Sequence, residues 1–284
     1  SAKKLNIAIA GATGFVGLDL IKFLSNHPKV QIKYLCAQKN IGKKIQYFDK
    51  RITKNLPKIS KLKSVDWAMI DILFTALPNG ESQIISKTLV NKKLKIIDLS
   101  ADFRLSDSSE YKKFYGREHM AKKLINNSIY ALSEFTKNKL KKFKIIACPG
   151  CYPTSIQLPL IPLLKKNLIN NKNIIIDSKS GYSGAGKNLK KKFKHKNIFS
   201  SIHAYATYKH RHISELDQEL NKASNTKISY VFIPHLIPTF RGMLSSIYLE
   251  LKPGVTVKKV FKELKNFHKN NYFVKINPLN KSIG

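Results

Sequence analysis

The stretch ACPGCYPTS, residues 147–155, sets Cys148 and Cys151 three positions apart around a Pro-Gly pair. Three chemistries share that spacing: a redox pair, half of a zinc site, or one working thiol with a bystander. A zinc site needs four ligands, and the chain holds no second CxxC or Cys/His pair at suitable spacing, so no metal is expected. The run FKIIAC reads as a buried strand, and CYPTSIQLPLIPLL as the start of a helix with Pro153 in its first turn, where a missing N–H costs nothing. Cys148 then ends a strand while Cys151 stands at the strand-to-helix turn. Helix N–H groups there favour a thiolate, which makes Cys151 the candidate nucleophile.

A thiol nucleophile needs a base. YKHRHISELDQEL brings His210 and His212 just ahead of a helix whose start is marked by Ser214 with Asp217 three residues on, a capping-box pattern. A histidine at the positive end of a helix is disfavoured as imidazolium and stays neutral, ready to take or give a proton. His212 is nearer the helix start and is preferred over His210. SKSGYSGAGK, residues 178–187, is dense in Ser and Gly and can present backbone and hydroxyl donors to an anion. Arg104 in SADFRL and Arg241 in PTFRGML are two of only five arginines, the residue type able to grip a carboxylate or phosphate at two points.

IAIAGATGFVG ends a strand and opens a helix, with glycines at 11, 14 and 17. Gly11 allows the tight turn, Gly14 a close approach to pyrophosphate, and Gly17 helix-on-strand packing, a GxxGxxG variant of the dinucleotide fingerprint. The end of the second strand, YLCAQKNIGKK, lacks the acid that would hold a ribose 2′-hydroxyl. Lys39 or Lys43 can attract a 2′-phosphate there, so NADP is favoured over NAD.

The elements that must position these groups follow two patterns. Short apolar runs at 5–10, 32–36, 71–77, 95–100 and 143–148 alternate with helical periods, the mark of a doubly wound parallel sheet. After Cys151 the strand runs lengthen (173–180, 228–235, 244–251) among helices such as ISELDQELNKAS and VTVKKVFKELKNFHK, predicting a second, more exposed sheet. The organisation expected is an α/β Rossmann domain over 1–150 and an α+β catalytic and oligomerisation domain over 151–284. With 284 residues, 43% of them apolar, and three cysteines, the chain can bury sizeable cores and has no disulfide framework, which fits the cytosol. No apolar run reaches membrane-spanning length, and the N-terminal stretch passes straight into a strand. The net charge of +35 is almost all scattered lysine, a basic solvated surface that draws small anions rather than a specific nucleic-acid site. KKKFKHK at 190–196 is the one cluster dense enough to test against polyanions.

The ordered series GATGFVG, SADFRL, YALSEF, CPGCYPTS, SGYSGAG, HRHISEL and PHLIPTFRGML resembles N-acetyl-gamma-glutamyl-phosphate reductases, from residue 5 to about 250. The resemblance implies a Rossmann domain followed by a domain like that of aspartate-semialdehyde and glyceraldehyde-3-phosphate dehydrogenases. It implies NADPH-dependent reduction of an acyl phosphate to a semialdehyde through a Cys151 thioester, with His212 as acid/base, in a dimer or tetramer. It also implies that Gly11, Ala12, Thr13, Gly14, Phe15, Val16 and Gly17, with Lys39, Pro78, Ser183 and Gly184, hold the cofactor. Arg104, Ser180, Gly181, Arg241 and His235 are implied near substrate. Aspartate-semialdehyde dehydrogenase shares thiol, base and cofactor but lacks the HRH and PHLxP motifs. The sequence departs from the family at Cys148, where Asn is usual, and at YALSEF, which replaces a Tyr-Gly-Leu-x-Glu pattern. The family also continues some tens of residues beyond NPLNKSIG, into a Gly-rich segment and a helix that returns to the cofactor. A chain ending at Gly284 is therefore expected to bind NADP more weakly.

Overall fold

A computed structural model describes residues 3–187 and 199–281, so the basic cluster at 190–196 lies outside the described residues. Two compact units divide the chain, and not by a single cut. The first takes the chain up to Ala131, then Thr136–Pro149, and a short stretch that begins at Gly186; the second takes Leu132–Phe135, Gly150–Ala185 and the chain from residue 199 onward. Phe135 leaves the first unit because its ring packs on Phe267 and His268, with centroids 5.5 and 6.3 Å away.

In the first unit, strands β1 (Leu5–Ala10), β2 (Val30–Cys36), β3 (Ile59–Ser60), β4 (Ile72–Thr75), β5 (Lys95–Asp98), β6 (Ser128–Tyr130) and β7 (Ile145–Ala147) form one parallel sheet in the order β3-β2-β1-β4-β5-β7-β6. Alternation along β1 divides the core. Ile7 and Ile9 pack with Leu18 and Ile21 of helix α1 (Phe15–Ser25) on one face, while Ala8 and Ala10 join Leu73, Ile96 and helix α2 (Glu81–Leu89) on the other. Register sets Ala10 beside Cys36 and Thr75, and Asp98 beside Thr75 and Ala147, so the loops after these strands open along one edge.

That edge is built on buried acids. Asp102, 1% exposed, accepts hydrogen bonds from the backbone N–H groups of Gly80 (2.7 Å), Ser82 (3.1 Å) and Gln83 (3.3 Å), and from the Tyr111 hydroxyl (2.9 Å) of helix α3 (Ser108–Tyr115). A carboxylate at this helix N-terminus satisfies orphan donors and meets the dipole with the favourable sign. Asp98 accepts from Thr75 Oγ1 (2.8 Å) and from the Ser100 N–H (3.0 Å), and its complete burial pushes the carboxyl above the usual carboxylate range.

The second unit pairs strands in the order β11-β8-β10-β9, namely β8 (Ile174–Gly181), β9 (His203–Ala204), β10 (Tyr230–Ile237) and β11 (Met243–Tyr248), with β8 and β10 parallel and the outer pairs antiparallel. Ile174, Ile176 and Phe232 on one face form a core with Ile156, Leu160, Leu216 and Leu220. The short helix α4 (Ser133–Thr136) precedes the long α5 (Cys151–Lys165), α6 (Ile213–Ser224) and α7 (Val257–His268). On the opposite face of the sheet, Ile175, Leu244 and Tyr248 remain 45, 50 and 60% exposed.

Helix α5 contains Pro159 and Pro162, each lacking the N–H an interior helical position normally donates. The carbonyl left over by Pro162 belongs to Leu158, and His268 Nε2 at the end of α7 occupies it at 2.9 Å. Asn271 Nδ2 donates to His268 Nδ1 at 3.0 Å, which fixes the tautomer that donates to Leu158. Dense apolar packing around the helix offsets the lost donors.

Candidate active site

Cys151 is the first residue of α5, with Gly150 as its N-cap and no side-chain cap on the helix. Gly150 O is enclosed by its own helix, accepting from Thr154 N (3.0 Å) and Thr154 Oγ1 (2.8 Å). The Cys151 side chain is exposed, at the end of the helix that is electrostatically positive. Cys148 lies one residue past β7 and its N–H bonds to Asp98 O at 2.8 Å. Arg104 is buried and donates through Nε to Cys148 O (2.8 Å) and through Nη2 to Leu99 O (3.3 Å), so it braces the turn that leads to Cys151.

The three thiols are free and chemically unequal. Burial raises Cys36 and Cys148 to about 11, the nearby Asp98 adding to the shift at Cys148. Brief treatment with iodoacetamide near pH 7.5 is therefore expected to alkylate Cys151 alone, read by peptide mass spectrometry. Labelling of Cys148 at a comparable rate would contradict this.

The two histidines divide their duties. His210 Nδ1 accepts the backbone N–H of His212 at 3.1 Å, and its ring sits edge-on to Tyr152, Tyr205 and Phe232 at 5.4, 5.6 and 5.7 Å. Burial, with the neighbouring Arg211 charge, lowers His210 to about 4. His212 is the N-cap of α6, and its imidazole lies flush against Gly150: a Cβ added there would stand 2.5 Å from His212 Nε2. The expected capping box does not form. The helix starts one residue before Ser214, whose hydroxyl turns back to Arg211 O (2.6 Å), and Asp217 accepts from the Tyr230 hydroxyl (2.8 Å).

A depressed histidine has a definite effect on stability. The unfolded chain takes up a proton on His210 near pH 6.5, whereas the folded chain does so only near pH 4. The resulting stabilisation is complete above about pH 6.5 and is lost as pH falls toward 4, with about 2 kcal/mol gone by pH 5. In urea titrations at pH 7.5 and pH 5, wild type is expected to lose more stability than His210→Gln by that amount. Equal losses would refute it.

Glu215 joins this cluster although its sequence setting does not single it out. It is fully buried one turn into α6, Oε2 accepting the Gly150 N–H at 2.8 Å and Oε1 standing 3.9 Å from His212 Nε2. Its signal was present as the i, i+3 spacing in HRHISEL, which puts residues 212 and 215 on one helix face. A single carboxylate thus stands between the residue before Cys151 and the imidazole beside it.

A cavity of about 330 Å³ collects Cys151, His210 and His212 together with Ser180, Gly181, Gly184, Tyr152, Tyr205 and Arg211. Tyr152 donates to His235 O and Tyr205 to the Tyr152 hydroxyl, both at 3.1 Å, and burial raises both phenols above the usual tyrosine range. Ser183 lies in the 3₁₀ turn Tyr182–Ala185 that carries Gly184, its N–H bonded to Phe240 O at 2.9 Å. Three implied substrate residues, Arg104, His235 and Arg241, do not line this cavity. The His235 side chain faces the other side of the sheet from Leu236, with Nδ1 3.2 Å from Asp177 Oδ1, because successive strand residues alternate. Arg241 is exposed in the β10–β11 turn, its guanidinium 5.0 Å from the Phe240 ring centroid.

In the first unit, the glycine loop fits a dinucleotide phosphate. Gly11 has φ +86°, and a Cβ there would meet Ala76 O at 2.2 Å; one at Gly17 would meet Gly11 O at 2.2 Å. Gly14 caps α1 with no side chain, and no acid occupies the first turn, so the helix opens its N–H groups to an anion. Ala12 is buried beneath the loop while Thr13, Phe15 and Val16 line its outer side. Lys39 is exposed in the loop after β2, and Pro78, also exposed, accepts the Glu81 N–H at 3.2 Å. These residues would hold the cofactor.

Residues 6–143 match the family model for the NAD binding domain of semialdehyde dehydrogenases, and residues 151–283 that for their dimerisation domain. A crystal structure of aspartate semialdehyde dehydrogenase II from Vibrio cholerae shares the fold, with TM-score 0.68 at 18% identity over 93% of this chain and 79% of that one. The protein is thus an oxidoreductase of the semialdehyde dehydrogenase class. Among curated relatives, N-acetyl-gamma-glutamyl-phosphate reductase from Ehrlichia ruminantium (strain Gardel) is 43% identical over 95% of this chain and 79% of its own length. The "Probable N-acetyl-gamma-glutamyl-phosphate reductase, chloroplastic" of Oryza sativa subsp. japonica is 42% identical over 97% of this chain, which spans 66% of that protein. The chain belongs to the N-acetyl-gamma-glutamyl-phosphate reductase family. Among the described residues no helix is long and apolar enough to cross a membrane.

Proposed function

We propose that this chain reduces N-acetyl-gamma-glutamyl phosphate to N-acetylglutamate semialdehyde with NADPH, the step its relatives are named for, within arginine biosynthesis in the cytosol. One observation carries the reading: an exposed thiol at a helix start, with the His212 imidazole packed on the residue before it in a single cavity. Cys151 Sγ attacks the acyl carbon, its proton passing to His212. The C–O bond to phosphate breaks, phosphate leaves, and a thioester remains on Cys151. The glycine loop would hold NADPH, which when bound would supply the hydride that reduces this acyl group. As the C–S bond breaks and the aldehyde is released, His212 returns its proton to Cys151 Sγ and regenerates the thiol, while the departed phosphate takes its proton from solvent. Glu215 holds both Gly150 and the imidazole in place through the cycle, acting as a positioning residue. Ser180 and Gly181 line the cavity beside Cys151 where the acyl group would sit, and Arg104 keeps the preceding turn rigid.

NADP is the cofactor favoured, since the loop after β2 runs Ala37-Gln38-Lys39-Asn40 without an acid to claim a 2′-hydroxyl. The units serve as cofactor domain and as catalytic and oligomerisation domain. The exposed apolar face of Ile175, Leu244 and Tyr248 supports pairing with a second copy. Run in reverse with NADP and phosphate, the enzyme is expected to oxidise N-acetylglutamate semialdehyde far faster than aspartate semialdehyde. The opposite order would overturn the substrate assignment.

A further inference from the structure

Lys187 closes the SGAGK segment, and its side chain lies against the first unit rather than in the Cys151 cavity. Nζ donates to Thr13 O at 2.5 Å, inside the glycine loop, and stands 5.5 and 5.7 Å from the ring centroids of Phe15 and Phe48. Among the described residues it forms no direct ion pair: Asp49, the acid whose field it feels, is already held by Arg51 at 2.6 Å. Although much of the side chain is exposed, the ammonium is drawn between two rings and a carbonyl. This desolvation holds it below the usual lysine range.

Such a cation is incompletely compensated and invites an anion. Its three neighbours say which. Thr13 and Phe15 belong to the pyrophosphate loop, whereas Phe48 ends the 3₁₀ turn Ile45–Tyr47 in the segment that follows β2, where the adenosine ribose of a dinucleotide is read. Lys39 and Lys43 share that segment. Lys39 is exposed, and Lys43 Nζ lies 4.4 Å over the Tyr47 ring. Among the described residues, neither forms a hydrogen bond or cation–ring contact with the glycine loop.

We infer that Lys187 is the specificity-determining residue for the 2′-phosphate of NADP, an ammonium poised between the glycine loop and the ribose-reading segment. The inference rests on the NADP reading given above. Dissociation constants for NADP and for NAD, measured calorimetrically without substrate on wild type, Lys187→Met and Lys187→Arg, test it. Lys187→Met is expected to weaken NADP binding roughly tenfold or more, the scale of one charge-assisted hydrogen bond, while NAD binding stays within about twofold. Lys187→Arg restores most of the difference. Unchanged NADP binding, or a parallel loss of NADP and NAD, overturns the assignment of Lys187 while leaving the cofactor reading intact. Wild type binding NAD as tightly as NADP overturns the cofactor reading, and the inference with it.

Discussion

Cys151→Ser is expected to lower turnover by about 10⁴-fold or more, because a serine hydroxyl at neutral pH is too weakly acidic to replace a thiol in the covalent role proposed for Cys151. The position is exposed and at the first turn of α5, where Ser is well tolerated, so stability is expected to stay within about 0.5 kcal/mol. NADP binding is expected to be unchanged, since the glycine loop belongs to the other unit. Steady-state rates in the reverse direction, together with mass spectrometry for a trapped acyl adduct on wild type, check both halves. A variant retaining a tenth of wild-type turnover would remove Cys151 from the chemistry.

The second large effect falls on the imidazole. His212→Asn is expected to cost about 10²- to 10⁴-fold in kcat/KM, the range for loss of a positioned proton carrier. The substitution keeps a polar N-cap for α6, so the helix is preserved. A structural role and a proton-transfer role are separated by the rate at which iodoacetamide labels Cys151. If His212 takes the thiol proton, labelling at neutral pH slows in the variant and recovers as pH is raised. Gly150→Ala gives an independent check, because its Cβ would meet Nε2 at 2.5 Å and displace the ring without removing it. A His212→Asn enzyme with normal kcat/KM would transfer the role to another group in the cavity.

Much of this molecule was readable before any coordinates. Strand β1 and helix α1 appear in LNIAIA and FVGLDLIKFLSN because each has an uninterrupted apolar period, and the glycines at 11 and 17 serve backbone needs that no other residue meets. Helix α6 was legible in extent, yet its cap was not. Ser214 and Asp217 obey the capping pattern, but the local Arg211 O and the more distant Tyr230 hydroxyl claim them instead. Strands β3, β6 and β9 are two or three residues long and carry no period to read.

By itself the sequence determined the residue types and their local settings: a thiol at a strand-to-helix turn, histidines before a helix, and a glycine loop after a strand. Those depend on neighbours a few positions away. Only the tertiary structure decided which groups meet, bringing His212 and Glu215 onto Gly150 from more than sixty residues along the chain and Lys187 onto Thr13 from 174 away. It also turned His235 out of the cavity, since the pleat of β10 allots alternate side chains to opposite faces and burial of Leu236 takes the inner one. A glutamate or a lysine in so basic and ordinary a background carries no mark of its role until the fold brings it against its partners.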